Sequence, residues 1–197
     1  MNIINIEHIS KVYGEKVIFD DASYGIQEGD KIGIIGINGT GKTTLLNMIA
    51  GREETDSGSI IRQNGLHMAY LSQNPAYEKE DTVLSFVTRG IDPSDWTAIS
   101  EAKSNLMTLG LTNYEEKLEH LSGGQRKKAA LAKVLLGSFD VLILDEPTNH
   151  LDDAGRKTLA EWIAQRGRGV VVISHDSVFK AVDAVCWKLQ NGGLAYV

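Results

Sequence analysis

Residues 36–43 read Gly-Ile-Asn-Gly-Thr-Gly-Lys-Thr, which fits the phosphate-binding pattern G-x-x-x-x-G-K-[ST]. Such a loop does anion chemistry. Its glycines let the backbone fold around a charge and aim successive N–H groups inward as a nest. An apolar strand-like run, Ile32 to Ile35, precedes the loop and a helix-like run, Thr44 to Ala50, follows it. The positive end of that helix points at the same anion. The expected cradle is Gly36, Asn38, Gly39, Thr40, Gly41 and Thr44. Lys42 would reach the β- and γ-phosphates of a nucleotide, and the Thr43 hydroxyl would ligate Mg²⁺.

Three further stretches end in groups suited to the same site. Val141 to Leu144 is almost wholly apolar and runs into Asp145-Glu146. Carboxylates at the C-terminal end of a buried strand stand where open α/β sheets bind ligands. The aspartate can hold Mg²⁺, and the glutamate can orient and polarise an attacking water. Val170 to Ile173 ends in Ser174-His175-Asp176, placing a histidine where it can donate to a γ-phosphate. Gln73, just after the strand Leu66 to Leu71, offers a neutral ligand for Mg²⁺ or for the lytic water. Leu121-Ser122-Gly123-Gly124-Gln125 is a second anion-binding helix start: a hydroxyl, two glycines with bare backbone, then a helix dipole.

The elements that must position these groups follow from periodicity. Ile3 to Ile9, Val17 to Phe19 and Tyr24 to Ile26 read as short antiparallel strands with turns at Gly14 and Glu28-Gly29-Asp30. Gly51 is a fitting stop for the helix after the glycine loop, and Ser57-Gly58-Ser59 punctuates before Ile60-Ile61. From Glu78 to His120, charged and apolar residues recur at helical spacing with breaks at Pro93 and Gly110, which predicts a small helical lobe. Ser122 caps a helix that ends at Gly137, and a further helix is expected from about Asp153 to Gln165. Apolar strands alternating with helices indicate a parallel sheet covered on both sides. Asn191-Gly192-Gly193 marks a C-terminal hairpin.

With 197 residues the chain suits one domain with a real core. Its 20 basic and 26 acidic residues leave a net charge of −6, which gives no support for a general nucleic-acid-binding surface. The single cysteine, Cys186, excludes an intramolecular disulfide and a cysteine-built zinc site, and reads as a buried small hydrophobe. No apolar stretch reaches the ~18–20 residues that span a bilayer, and the N-terminus lacks a secretory pattern. A cytoplasmic protein with no direct membrane insertion is expected.

The combination of motifs resembles the ATP-binding cassette (ABC) ATPases across essentially the whole chain. That resemblance implies an α/β fold: a P-loop (RecA-like), mostly parallel sheet core with an N-terminal antiparallel β lobe and a small helical lobe. It makes residues 1–197 a single ABC ATPase domain, with the β lobe and P-loop core at roughly 1–77, the helical lobe at roughly 78–120, and the signature helix and the rest of the core at 121–197. It assigns Walker A to Gly36–Thr43, Walker B to Val141–Asp145, the catalytic base to Glu146, the Q-loop to Gln73, the D-loop to Asp152 and the switch to His175. Ser122, Gly123, Gly124 and Gln125 then contact nucleotide held by a second cassette. Tyr13 becomes the aromatic that stacks on adenine, although by its sequence alone it fits equally a core position of the β lobe.

Asp145-Glu146-Pro147-Thr148-Asn149-His150-Leu151-Asp152 is similar to the ABC-F subfamily, whose soluble members carry two cassettes in one chain and act on the ribosome in translation or antibiotic resistance. The expected ligands are ATP and Mg²⁺ and the expected activity is hydrolysis of ATP to ADP and phosphate. The expected partner is a second cassette, as a homodimer or a tandem domain, with the ribosome as a further partner. The alternative is the ATPase subunit of an ABC membrane transporter. Two features depart from the ABC-F pattern: one cassette is present, and the segment from Gln73 to Leu121 is short.

Overall fold

The computed structural model describes residues 2–71, 75–149, 151–165, 169–173, 185–190 and 193–196. The chain opens with two long strands, β1 (Asn2–Tyr13) and β2 (Lys16–Gln27), paired antiparallel, with β4 (Ser57–Arg62) on the other side of β1. The expected breaks in these strands are bulges instead. The register of β1 against β2 shifts between Ile6 and Ile9, where His8 and Asp21 both take left-handed backbone at φ 50° and 53° and their side chains meet at 2.7 Å. The extra residue twists the ribbon without ending it, so Val17–Phe19 and Tyr24–Ile26 belong to one strand. Gly58 likewise lies inside β4. At φ 75° a Cβ there would collide with the carbonyls of Glu7 and His8, so the glycine permits close strand approach.

The second sheet holds six strands in the order β5-β6-β7-β3-β8-β9. They are β3 (Lys31–Ile35), β5 (Met68–Leu71), β6 (Val141–Asp145), β7 (Gly169–Ile173), β8 (Val185–Gln190) and β9 (Gly193–Tyr196). All neighbours are parallel except the β8–β9 hairpin. Strands β6 and β7 are buried along their whole length, and their alternation shows why. Val141, Ile143, Val171 and Ile173 face one core with the β lobe and α1 (Lys42–Ile49). Leu142, Leu144, Val170 and Val172 face the other core with the helices of the second side. A sheet covered on both faces has no room for polar alternation.

Helix α1 lies between the two sheets and ends in a Schellman motif: Gly51, at φ 72°, donates to Met48 O and Arg52 donates to Asn47 O. The Arg62 guanidinium donates to Ile49 O at 2.9 Å, a carbonyl that motif leaves open, and adds a second donor to Met48 O at 2.6 Å. On the opposite side α2 (Val83–Val87), α3 (Trp96–Thr108) and a 3₁₀ turn (Leu118–His120) form the helical lobe. It packs on α4 (Gly123–Leu136) through Phe86, Ala102, Leu106, Ala129 and Ala130. Capping chemistry sets the boundaries: Thr82 and Ser85 form a capping box, Asp95 accepts from Ala98, and Gly110 at φ 77° follows the end of α3. Helix α5 runs Asp153–Gln165. Cys186 is half-buried beside Gly33, more open than its apolar surroundings in sequence imply. Among the described residues no helix is long and apolar enough to cross a membrane.

Candidate functional site

The glycine loop joins β3 to α1 at the C-terminal edge of the parallel sheet. Gly39 and Gly41 take left-handed backbone at φ 80° and 100°, and Gly41 caps α1 without a side-chain partner. A Cβ at Gly41 would collide with Ile18 Cγ2, and one at Gly36 would stand 3.0 Å from both Leu189 O and Thr40 Oγ1. The loop is held by its own bonds: Thr40 Oγ1 donates to Ile37 O at 2.9 Å, and Lys16 Nζ donates to Gly39 O at 2.6 Å. Lys42 is only 7% exposed, and its ammonium donates to Gly36 O at 2.7 Å and Ile37 O at 3.2 Å. Burial lowers its pKa, opposed by the nearby charges of Glu146 and Asp145. Among the described residues its hydrogen-bond acceptors are these carbonyls, and a buried cation so placed is stabilised further when an anion binds beside it.

Strand β6 delivers Asp145, 2% exposed, to the same edge, where the Thr43 hydroxyl donates to Asp145 Oδ2 at 3.0 Å. Burial pushes the Asp145 carboxyl above the usual carboxylate range, against the Thr43 hydroxyl and the cations of Lys127 and Lys42. Glu146 follows in left-handed backbone at φ 48°. That conformation costs a non-glycine residue about 1–2 kcal/mol and needs local support. Its N–H donates to Ile173 O on β7 at 2.9 Å, and its carbonyl accepts from Asn149 N at 3.3 Å.

These groups line one cleft of about 910 Å³, together with Tyr13, Asn38, Gly39, Gly41 and Thr44. Tyr13 lies at its mouth, 48% exposed, with its hydroxyl bonded to Glu53 and Lys11 Nζ 5.5 Å from the ring centroid. The hydrogen bond to Glu53 raises the pKa of the phenol. Sequence reasoning missed Lys16, Ile18, Thr148, Asn149 and Arg156, which also line the cleft. The signal for Lys16 and Ile18 was the Gly14 turn, which folds them back beside Tyr13. Arg156 gave none, being one turn into α5.

Other expected site residues stand elsewhere. Ser122, Gly123 and Gln125 are exposed at the start of α4 and do not line this cleft, nor does Gly124. Ser122 N donates to Gln125 Oε1 at 2.9 Å and Gln125 N donates to Ser122 Oγ at 3.2 Å, a reciprocal capping box. Asp152 caps α5 by accepting from Gly155 N at 3.0 Å and pairs with Lys128 at 3.6 Å; those bonds, the backbone one first, hold its carboxyl below the usual range. Gln73 and His175 lie outside the described residues, as do His150 and the turn Asn191-Gly192.

The donor set suits a nucleotide with Mg²⁺. Thr43 and Asp145 supply adjacent hard oxygens, and among the described residues no group of three or more His, Cys, Asp or Glu side chains could hold a metal. One or two protein oxygens completed by phosphate and water is the coordination Mg²⁺ favours. The volume falls within the range of small-molecule sites.

The model of the ABC transporter family matches residues 19–149. The ribosome protection protein VmlR of Bacillus subtilis is 38% identical over 89% of this chain and 32% of its own. The energy-dependent translational throttle protein EttA of Haemophilus influenzae is 34% identical over 90% of this chain and 33% of its own. The chain thus spans about a third of the length of the curated relatives it matches. The solved ATP-binding subunit of an ABC transporter superposes with a TM-score of 0.87 at 21% identity, covering 99% of this chain and 89% of that one, which shows the shared fold. With the family pattern running from β2 through the Walker B turn, the chain belongs to the ABC transporter family and is an ABC-F-like ATP-binding cassette.

Proposed function

We propose that this cassette hydrolyses ATP to ADP and phosphate with Mg²⁺, and that it works paired head to tail with a second cassette. The observation that carries the reading is the convergence of Lys42, the Thr43–Asp145 pair and Glu146 on one cleft. Tyr13 stacks on the adenine, and the loop from Gly36 to Thr44 donates backbone N–H groups to the phosphates, with Lys42 neutralising the terminal ones. Thr43 and Asp145, with Gln73, would hold the metal, which when bound would supply neutralisation of phosphate charge. Glu146 accepts the proton of a water aligned with the γ-phosphorus, while His175 donates to a γ-phosphate oxygen. As the water oxygen bonds to phosphorus, the bond to the β-bridging oxygen breaks and ADP leaves.

In this reading residues 1–197 act as one ATPase domain whose signature residues Ser122, Gly123, Gly124 and Gln125, with Asp152, serve the nucleotide of the partner cassette. The exposure of Ser122, Gly123, Gln125 and Asp152 away from the chain's own cleft supports that division. The partner is a second copy or another segment of a longer protein. A translation-related role in the cytoplasm, at the ribosome, is favoured over service to a membrane transporter, because relatives matched at 34–38% identity are named for ribosome protection and translational throttling. The test is ATP turnover measured against protein concentration. Turnover per chain rises with concentration if a second copy completes the site; full turnover by this chain alone at concentrations where it is monomeric overturns the pairing. Co-sedimentation with ribosomes supports the translational role, and recovery only with membranes overturns it.

A further inference from the structure

Lys127 is 3% exposed and occupies the same α4 stripe as Leu131 and Leu135, where an aliphatic residue would be ordinary. Its ammonium does not line the cleft. It crosses to the end of β6 and donates to the main-chain carbonyls of Glu146 at 2.5 Å and Asp145 at 3.3 Å. Burial lowers its pKa, against the opposing charges of Asp145 and Glu146. Burying an ammonium is costly and is recovered only through directional bonds to groups that stay in place.

The peptides it holds are those where the chain leaves β6 and enters left-handed backbone at Glu146. On the other side that turn is pinned by the bond from Glu146 N to Ile173 O. The next residue, Lys128, pairs with Asp152 at 3.6 Å, so consecutive lysines of α4 clasp both ends of the segment from Asp145 to Asp152. Gly123 and Lys127 are four residues apart, one turn along the same helix.

We propose that Lys127 is a positioning residue: it locks the backbone of Asp145 and Glu146 to α4 and so sets where the Glu146 carboxylate points. A movement of the exposed start of α4 is thereby passed, within one helical turn, to the base of the chain's own site. The inference rests on the reading of Glu146 as that base.

The test compares Lys127→Met and Lys127→Arg in the whole chain, after thermal melts show both folded. Lys127→Met removes the ammonium bonds to the Asp145 and Glu146 carbonyls and leaves Asn149 N as the remaining donor to Glu146 O among the described residues. Exchange of the Glu146 amide and turnover should each change by about 10- to 100-fold, exchange faster and turnover slower, as when supporting outer-shell bonds are removed. Affinity for a non-hydrolysable ATP analogue should stay within about three-fold, so the loss falls on kcat rather than on binding. Lys127→Arg, which keeps charge and donors, restores both readings. Unchanged exchange with turnover within about two-fold in Lys127→Met overturns the proposal, as does equal loss in the arginine variant. If the wild-type protein hydrolyses nothing, or Glu146→Gln leaves turnover intact, the reading of Glu146 falls instead, and the exchange comparison still decides whether Lys127 holds the turn. Should the methionine variant not fold, Lys127→Gln is measured in its place with the same outcomes.

Discussion

Glycine stands at the start of both α1, as the N-cap, and α4, as the first helical residue, and the two first turns are built in opposite ways. Helix α1 starts behind Gly41, left-handed, without a side-chain cap, and packed so closely that a Cβ would strike Ile18. Helix α4 starts behind Ser122 in a closed capping box with Gln125, and a Cβ at Gly123 would meet nothing within 4 Å. The interior of the chain accounts for glycine at 41. It does not account for glycine at 123, which gives up roughly 0.5–1 kcal/mol of helix propensity against alanine. One helix start is packed against its own chain and lines the cleft. The other is capped, open to solvent at Gly123, and under the proposed pairing would meet the partner cassette.

The sharpest break between the two regions comes from stopping the chemistry in the cleft while leaving α4 untouched. Glu146→Gln should lower kcat by about 10²–10⁴-fold, the contribution of a general base, with ATP affinity retained. Steady-state turnover and equilibrium nucleotide binding check the two halves separately. Next in size is Lys42→Ala. Loss of a charge-assisted bond worth about 1.5–3 kcal/mol should weaken ATP binding by roughly 10- to 150-fold, readable by calorimetry. At the other helix start, Gly123→Ala should keep or slightly raise Tm and keep single-chain ATP binding, while turnover falls by about ten-fold once bare backbone is lost to the partner. If Gly123→Ala instead lowered Tm as Gly41→Ala should, the contrast between the helix starts would collapse.

The smallest effect concerns pH. Burial raises the Asp145 carboxyl above its ordinary value of 3.8, so the folded protein binds that proton more tightly than the unfolded chain does. Stability therefore falls as pH rises from 3.8 through the folded value, and the loss persists at neutral pH. In nucleotide- and metal-free protein, Asp145→Asn should raise Tm at pH 7 by roughly 2–4 °C per kcal/mol recovered. The difference should vanish as pH approaches 3.8, and calorimetry across that range would expose the opposite trend.

Much of this site was legible because its chemistry is local in sequence. Ser122 predicts its own helix start, Gly51 predicts the end of α1, and the apolar runs of β6 and β7 carry their burial on their face. What was hidden depends on distant partners. The bulge at His8 and Asp21 exists only across β1 and β2, so one strand read as two. Gly58 read as punctuation because the close approach of Glu7 and His8 cannot be seen from its neighbours. Lys127 sits between Arg126 and Lys128, and the end of β6, 18 positions on, explains its burial.

The most direct test of the pairing is sedimentation velocity of Glu146→Gln with and without Mg·ATP. Removing the base should trap nucleotide between two cassettes before it is hydrolysed. An ATP-dependent dimer that Gly123→Ala abolishes is the predicted result. A Glu146→Gln chain that binds ATP yet stays monomeric, alone and with the remainder of a longer protein supplied, would contradict the account.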